Sequence, residues 1–404
     1  MVAVAITGYG CISALGHTAT EFRESLFAGR TGIAALKLVR DDPRLQIRIA
    51  AQVKEFDPAA HLPADKLPFL DPFSQFALVA AAEAIRHSGI APEELAGPRT
   101  AVILGTGIGG AWTQDESFYQ FYGERSRRLD PMAIPRLMPN AATSQISMAY
   151  GITGPSFTVC SACASSTHAA GVGLDLIRSG KVDRVITGGS EACITPGGMR
   201  TWELMRVLSP EPCSPFSAGR MGMVLGEGGG IVVLESLEAA KRRNAKVLAH
   251  LSGFGMTADA GDLLRPDPKG AARAMQLAID DAGVSASDID YINAHGTGTV
   301  TNDIVETQVI KDVLGEHAGR VLVSSTKSMH GHALGGAGAL ELVATIQSIE
   351  QQTAPPTINW KARDPKCDLD YVPNEARKAS IRTALSNSFA FGGLNAVLCV
   401  QAPA

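Results

Sequence analysis

The chain has 404 residues, of which 45% are hydrophobic and 19% are charged, so it can bury a core large enough for two domains or two similar halves. Extensive disorder is excluded by this composition. A formal net charge of -4 gives no general attraction to nucleic acid or anionic lipid, and no apolar run is long enough to span a bilayer.

The N-terminal segment predicts a strand and turn rather than a signal peptide, because it lacks basic residues and is interrupted by Gly8 and Gly10. The chain contains seven cysteines, an odd number without framework spacing. This pattern is typical of reduced thiols, and we expect a cytoplasmic protein.

Two pairs of segments resemble each other in the same order along the chain. AVAITGYG at 3–10 is similar to VLAHLSGFG at 247–255, and both predict a first strand. A helical segment at 77–95 that leads into the strand AVILGTGIGG is matched by 271–289, which leads into YINAHGTGT. We therefore predict an internal duplication, with halves at 1–245 and 246–404. Alternating strands and helices predict an α/β fold with largely parallel sheets.

The first half carries additional length at about 107–145 and 195–222, in segments rich in Pro, Met, Ser and Arg. Insertions of this kind commonly build a subunit interface or the mouth of a substrate pocket.

The segment around Cys163 predicts a nucleophile. A short strand at 157–159 is followed by small residues and by a helix that starts near Ala164, which places Cys163 at a helix N-terminus. Unpaired N–H groups and the helix dipole there stabilise a thiolate, so we expect a lowered pKa for Cys163. The alternative is that Cys160 and Cys163 form a redox pair or half of a zinc site, although no second CxxC or CxxH motif completes such a site.

Two histidines also follow predicted strands. His295 and the glycines after it come directly after an apolar strand, where catalytic groups of α/β proteins commonly lie. A second strand, VLVSSTK, leads to Lys327, His330 and His332 ahead of a helix of small residues. His330 is two residues from His332 and is expected to point elsewhere if the segment is extended. His168, in the helix after Cys163, is expected to pack or cap.

Near the C-terminus, ALSNSFAFGGLNAVLCV predicts two strands around a turn at Gly392 and Gly393. Glycines allow a backbone N–H to approach a substrate oxygen closely, although a purely structural turn explains them equally well.

Taken in order, SACASS, NAHGTGT, STKSMHGHALGGAG and NSFAFGGLNA resemble the motifs of the β-ketoacyl-acyl carrier protein synthases of the elongating type. The resemblance covers essentially the whole chain. It implies the thiolase fold, in which duplicated halves form a five-layer α-β-α-β-α sandwich. It also implies a homodimer, with a heterodimer with a chain-length-factor-like homologue as the alternative.

In that family's scheme, Cys163 takes an acyl chain from a carrier protein thioester, and His295 and His332 promote decarboxylation of the malonyl carrier protein. Lys327 completes the catalytic set, and Glu341 is a supporting charge. The backbone N–H groups of Cys163 and Phe391 form the oxyanion hole. Substrates arrive as phosphopantetheine thioesters on the carrier protein, so neither a metal nor another cofactor is expected, and neither nucleic acid nor membrane is an expected partner.

Several positions depart from the family's usual residues, namely Ser166, Ser217, Ala390 and Leu394. None is a predicted reacting group, so the departures leave the reaction unchanged and suggest a specialised acyl pocket and gate. The chain could therefore serve fatty-acid elongation or, as the alternative, a type II polyketide or polyene pathway with a non-catalytic partner. A CoA-dependent thiolase is disfavoured because the second catalytic cysteine of that group is replaced here by two histidines.

Two further expectations concern the partner and the pocket. The carrier protein is acidic in this family, which predicts docking on a basic surface formed by Arg125, Arg127, Arg128, Arg206 and Lys66. The turn at Phe391 is expected to act as an acyl gate, with ordinary core packing of the ring as the alternative.

Overall fold

The computed structural model describes residues 2–403 and contains a ten-stranded sheet. In chain order its strands are β1 (Val4–Ser13), β2 (Thr100–Gly105), β3 (Ser156–Val159), β4 (Arg184–Glu191), β5 (Gly228–Ser236), β6 (Ala249–Ala258), β7 (Tyr291–Asn293), β8 (Leu322–Ser324), β9 (Thr383–Ala390) and β10 (Leu394–Gln401). Two short ladders pair Ala34–Ala35 with Ile49–Ala50 and Thr353–Ala354 with Arg377–Lys378.

The longer helices are α1 (Ala19–Phe27), α2 (Pro72–Ser88), α3 (Ala111–Phe118), α4 (Ala141–Ala149), α5 (Ser165–Arg178), α6 (Pro196–Leu204), α7 (Pro268–Ala282), α8 (Val300–Leu314) and α9 (Ala337–Gln351). Shorter helices lie at Pro92–Leu95, Ala133–Leu137, Leu237–Arg242 and Lys327–His330, and a π-helical turn at Tyr119–Gly123 follows α3. Within residues 2–403, no helix is both long and apolar enough to cross a membrane.

The sheet consists of two five-stranded halves with the same topology. From its centre outward, the first half runs β1, β5, β4, β2, β3, and the second runs β6, β10, β9, β7, β8. In each half the inner two pairings are antiparallel and the outer two are parallel. The halves meet where β1 pairs with β6 through Ala5–His250 and Ile6–Ala249 alone.

The expectation of largely parallel sheets is therefore wrong, because five of the nine strand pairings in the ten-stranded sheet are antiparallel. In the second half the reason is local, because β9 and β10 are joined by a short turn, and a tight turn can connect only antiparallel neighbours. The corresponding strands of the first half, β4 and β5, are also antiparallel.

The repeated helices α2 and α7 are built in the same way. Each follows an Asp N-cap, begins with Pro and ends at a left-handed Gly. Each also lies close against two glycines of its first strand: Gly8 and Gly10 contact carbonyl oxygens of α2, and Gly253 and Gly255 contact those of α7. A Cβ atom at these glycines would overlap the helix backbone, which explains why the GxG pattern occurs in both halves.

The helices complete five layers. α2 covers the outer face of the first half-sheet and α7 covers that of the second, while α5 and α9 lie between the half-sheets and contact both. The middle position of α9 agrees with its burial on all sides from Ala337 to Ile349. This arrangement confirms the predicted thiolase fold. The division at residue 245 falls between the helix Leu237–Arg242 and β6, and it stays a prediction.

Candidate active site

The residues singled out as catalytic lie around one cavity of about 160 Å³ between the two halves. Cys163, His295, His332 and Phe391 all contribute to its lining. Cys163 is provided by the first half, and the other three come from the second. The site therefore depends on how the two halves pack together.

Cys163 precedes α5, whose N-cap is Ala164, and it is 6% exposed. Burial raises the pKa of its thiol to about 11. The Lys327 ammonium and the backbone N–H groups of Phe391 and Cys163 oppose this shift. The expectation of a lowered pKa is wrong, because the loss of water around the sulfur outweighs the helix terminus and the ammonium group.

We expect the alkylation of Cys163 by iodoacetamide to accelerate about tenfold per pH unit between about pH 7 and pH 10. With a pKa of about 11 the reactive thiolate is the minor form throughout this range, and its fraction grows with pH. Peptide mass spectrometry separates this reaction from that of the exposed Cys160 in the same digest. A plateau reached near neutral pH would show that the thiol ionises more easily than its burial implies.

The seven cysteines are all free. Cys160 is exposed, and its Sγ lies 3.3 Å from the carbonyl oxygen of Gly107, whereas Cys163 faces the cavity. Within residues 2–403, no group of three or more His, Cys, Asp or Glu side chains could hold a metal ion. The contacts of Cys160 and Cys163 thus give no support to a redox pair or a zinc site.

His295 and His332 face each other across the cavity, with ring centroids 5.4 Å apart and ring planes nearly perpendicular. The backbone N–H groups of His295 and Gly296 donate to Glu306, which fixes the turn after β7. Burial lowers the pKa of both imidazoles well below the usual range, and the nearby Lys327 ammonium lowers it further. Both rings are therefore neutral near pH 7, and each can donate one N–H and accept one proton.

Lys327 and Glu341 form a buried ion pair behind His295. The Lys327 ammonium also donates to the backbone oxygen of His295 at 2.6 Å, and it lies 3.4 Å from the ring atom Nδ1. Burial raises the pKa of Glu341 to about 7, although the Lys327 charge opposes the shift. Lys327 thus holds both the backbone and the ring of His295 in place.

Phe391 occupies the turn between β9 and β10, followed by Gly392 and Gly393 with φ of 84° and 68°. These left-handed conformations favour glycine. The Phe391 ring is half-buried and stacks on Trp202 of α6, with centroids 6.3 Å apart and an angle of 22° between the planes. Its backbone N–H thus points at Cys163 while its side chain lines the cavity.

The other histidines near the site do not reach the cavity. His330 is buried. Its Nε2 lies 2.9 Å from Thr326 Oγ1, and its ring packs against Phe22. The His330 ring therefore points away from His332, as expected. The segment is a helical turn, however, and not extended. His168 packs against Phe254 and contacts the loop before Cys163.

Three residues that shape the site were not predicted from the sequence, namely Glu306, Glu191 and Trp202. Glu306 holds the His295 turn, and Glu191 accepts hydrogen bonds from the backbone of Gly107, Ile108 and Gly335. Burial raises the pKa of Glu191 to about 7. A carboxylate at the end of an otherwise apolar strand, as in VITGGSE, is a signal that could have identified Glu191. Trp202 lies in an insertion and has no comparable signal.

The five basic residues expected to dock a carrier protein are all exposed: Arg125, Arg127, Arg128, Arg206 and Lys66. Arg125 and Arg127 border a shallow recess together with Phe121 and Leu129. Among the described residues, only Lys66 of this set has an acidic neighbour within ion-pair distance, namely Asp65 at 3.8 Å. Their charges are therefore largely uncompensated.

A duplicated five-layer fold with a cysteine and two neutral histidines around one cavity defines a condensing enzyme of the thiolase-fold class. Residues 1–240 match the N-terminal domain of the β-ketoacyl synthases, and residues 248–361 match their C-terminal domain. The chain belongs to the β-ketoacyl synthase family.

Individual relatives cover nearly the full chain. Nodulation protein E from Rhizobium sp. (strain N33) is 43% identical over 399 residues, and 3-oxoacyl-[acyl-carrier-protein] synthase 2 from Coxiella burnetii (strain RSA 493 / Nine Mile phase I) is 41% identical over 406 residues. Each alignment spans 98% of both proteins. Among solved structures, the ishigamide ketosynthase/chain length factor is similar over 100% of both chains, with 35% identity and a TM-score of 0.95.

Proposed function

We propose that the protein is a β-ketoacyl-acyl carrier protein synthase that elongates acyl chains by decarboxylative Claisen condensation. One observation carries the proposal: Cys163 lines the same cavity as the neutral rings of His295 and His332 and the turn residue Phe391. The similarity to 3-oxoacyl-[acyl-carrier-protein] synthase 2 supports the same reaction.

In the first half-reaction, the Cys163 thiolate attacks the thioester carbonyl of an acyl carrier protein. The negative charge that develops on the carbonyl oxygen is stabilised by the N–H groups of Cys163 and Phe391, which are fixed beforehand. The C–S bond to phosphopantetheine then breaks, and the proton lost by Cys163 leaves on the released phosphopantetheine thiol. The product is an acyl-Cys163 thioester.

In the second half-reaction, His295 and His332 donate hydrogen bonds to the thioester oxygen of the malonyl carrier protein. The bond to the malonyl carboxylate breaks, carbon dioxide leaves, and the electron pair forms an enolate. The enolate carbon attacks the acyl-Cys163 carbonyl, and the C–S bond breaks to regenerate the thiolate. Lys327, held by Glu341, keeps His295 in position throughout.

A reconstituted reaction tests this proposal. Purified protein is incubated with acyl carrier protein loaded with a saturated acyl chain and with the malonyl-loaded carrier, and the products are measured by mass spectrometry. We expect a β-ketoacyl carrier protein two carbons longer and one equivalent of carbon dioxide. Condensation of acetyl-CoA with no release of carbon dioxide would identify a thiolase instead.

The uncompensated basic residues supply a docking surface for an acidic carrier protein. We expect Arg127→Glu combined with Arg128→Glu to raise the Michaelis constant for the carrier on the order of tenfold, because charge steering of the carrier is lost. The salt dependence should become weaker, whereas turnover of small thioester mimics should stay unchanged.

A matched control for that double variant is Arg320→Glu. Arg320 is also exposed, but it precedes β8 and therefore lies at the amino ends of the parallel strands β7 and β8. His295 follows the carboxyl end of β7, so Arg320 lies at the opposite end of these strands from the site. An equal effect of this control would reject the docking surface.

We propose that the chain forms a dimer through β3, the outer strand of the first half-sheet. Among residues 2–403, one edge of β3 has no strand partner. Phe157 in β3 is 43% exposed, and Met148 of the contacting helix α4 is 65% exposed. Unpaired strand edges with apolar side chains pair readily with another chain.

A second copy is the partner we propose first. The alternative is a chain-length-factor-like homologue, as in the ketosynthase/chain length factor structure that the protein resembles. A dimeric, active preparation of the single chain supports the homodimer. An inactive chain that gains activity only with such a homologue supports the specialised polyketide or polyene pathway.

The turn at Phe391 is the acyl gate in this proposal. We expect Phe391→Ala to change the distribution of acyl chain lengths, because the residue lines the cavity and its half-buried ring stacks on Trp202. Product profiles of wild type and variant measure this change. An unaltered profile, together with the same Phe391 rotamer in free and acylated protein, would identify the ring as static core packing.

A further inference from the structure

The residue directly before Cys163 has an unfavourable backbone conformation. Ala162 has a φ of 49°, in the left-handed region that non-glycine residues seldom adopt. Such a conformation persists only where the surrounding contacts determine it, and it is common where a reactive group must be aimed. The contacts that hold Ala162 therefore decide how Cys163 faces the cavity.

The Ser165 hydroxyl group connects the backbone of Ser161 with that of Ala162. Its Oγ accepts a hydrogen bond from the backbone N–H of Ser161 at 2.8 Å and donates one to the carbonyl oxygen of Ala162 at 2.6 Å. Ser165 is fully buried at the start of α5. A hydroxyl group can donate one hydrogen bond and accept another at the same time, so the Ser165 side chain serves both backbone groups.

The His168 ring links the residues on both sides of Cys163. Its Nδ1 lies 2.9 Å from Ser161 Oγ and 3.1 Å from the carbonyl oxygen of Ala164. Burial lowers the pKa of His168, so the ring is neutral near pH 7. Its edge-to-face packing on Phe254 fixes the plane of the ring.

We propose that Ser165 and His168 are positioning residues that hold the left-handed turn at Ala162 and thereby aim the sulfur and the N–H group of Cys163 into the cavity. This inference rests on Cys163 as the nucleophile of the proposed function. Neither side chain touches the reacting atoms. Burial disfavours the Cys163 thiolate, whereas the backbone N–H groups of Phe391 and Cys163 favour it. A relaxed turn at Ala162 would misplace the N–H group of Cys163.

The neighbouring Ser166 provides a matched control. It is also a buried serine in the first turn of α5, but its Oγ has no hydrogen-bond partner among the described residues. Ser165→Ala should slow the alkylation of Cys163 by iodoacetamide about tenfold or more and shift its pH profile to higher pH. Ser166→Ala should leave both rate and profile unchanged.

Two results would overturn the inference. One is a Ser165→Ala protein with the rate and pH profile of wild type. The other is an equal slowing in Ser166→Ala, which would show that packing at the start of α5 is responsible and not the hydroxyl bridge. Alkylation requires no acyl substrate, so this test gives an answer even if the protein fails to condense acyl chains and the proposed function is rejected.

Separate measurement of the half-reactions distinguishes positioning from a general loss of structure. Ser161→Ala and His168→Gln break the second link without changing the Ser165 bridge. We expect each to slow acyl transfer to Cys163 while decarboxylation of the malonyl carrier by the two histidines continues at the wild-type rate. Equal loss of both half-reactions would refute a specific role, and these variants keep the test available if Ser165→Ala does not fold.

Discussion

Replacement of Cys163 by alanine should reduce acyl transfer by at least about 10⁴-fold, because the covalent intermediate can no longer form. The backbone N–H groups at this position remain, so the variant should still bind carrier proteins. Cys160→Ala should retain most of the activity, since Cys160 is exposed, its Sγ lies against the Gly107 carbonyl oxygen, and it does not line the cavity.

Mass spectrometry of protein treated with an acyl thioester measures both effects directly. The acyl group should appear on the peptide with Cys163 in wild type and in Cys160→Ala, and on no cysteine in Cys163→Ala. Acyl label on Cys160, or a requirement for a disulfide between Cys160 and Cys163 during turnover, would show that the nucleophile has been assigned to the wrong residue.

His295→Ala and His332→Ala should each slow decarboxylation of the malonyl carrier about 10²- to 10⁴-fold, because each removes one donor to the developing enolate. Acylation of Cys163 should be affected far less, since neither ring is among the groups that stabilise its thiolate. Release of labelled carbon dioxide measures the first quantity, and the burst of acyl-protein measures the second.

His330→Gln is the control for this pair. His330 is as buried as His332 and only two residues away, but its ring contacts Thr326 and Phe22 outside the cavity. Its decarboxylation rate should remain close to that of wild type, even if thermal stability decreases. A loss as large as that of His332→Ala would attribute both effects to disturbed packing of this segment.

The sequence was sufficient to predict the fold, and it identified Cys163 and His295, which the structure brings to one cavity. Cys163 and His295 each follow a short apolar strand and are flanked by small residues, and the glycines of each first strand mark the helix that packs on it. These signals depend only on neighbours in the chain. Such signals can therefore be recognised in the sequence without knowledge of the tertiary contacts.

Properties that depend on distant residues could not be read in this way. The pKa of Cys163 is set by burial among residues from distant parts of the chain, including Leu45, Leu225 and Ala390, and not by the helix terminus alone. The stacking of Phe391 on Trp202 joins the C-terminal hairpin to an insertion of the first half. Each involves contacts between segments that are far apart in the sequence.

The division of the site between the two halves also has a consequence for synthesis on the ribosome. Cys163 is synthesised well before His295 and His332, α9 follows them, and the hairpin that carries Phe391 is made last. The nucleophile is therefore present in the nascent chain before any of the groups that the second half contributes to the cavity. The site can be completed only after the second half has been synthesised and has folded onto the first.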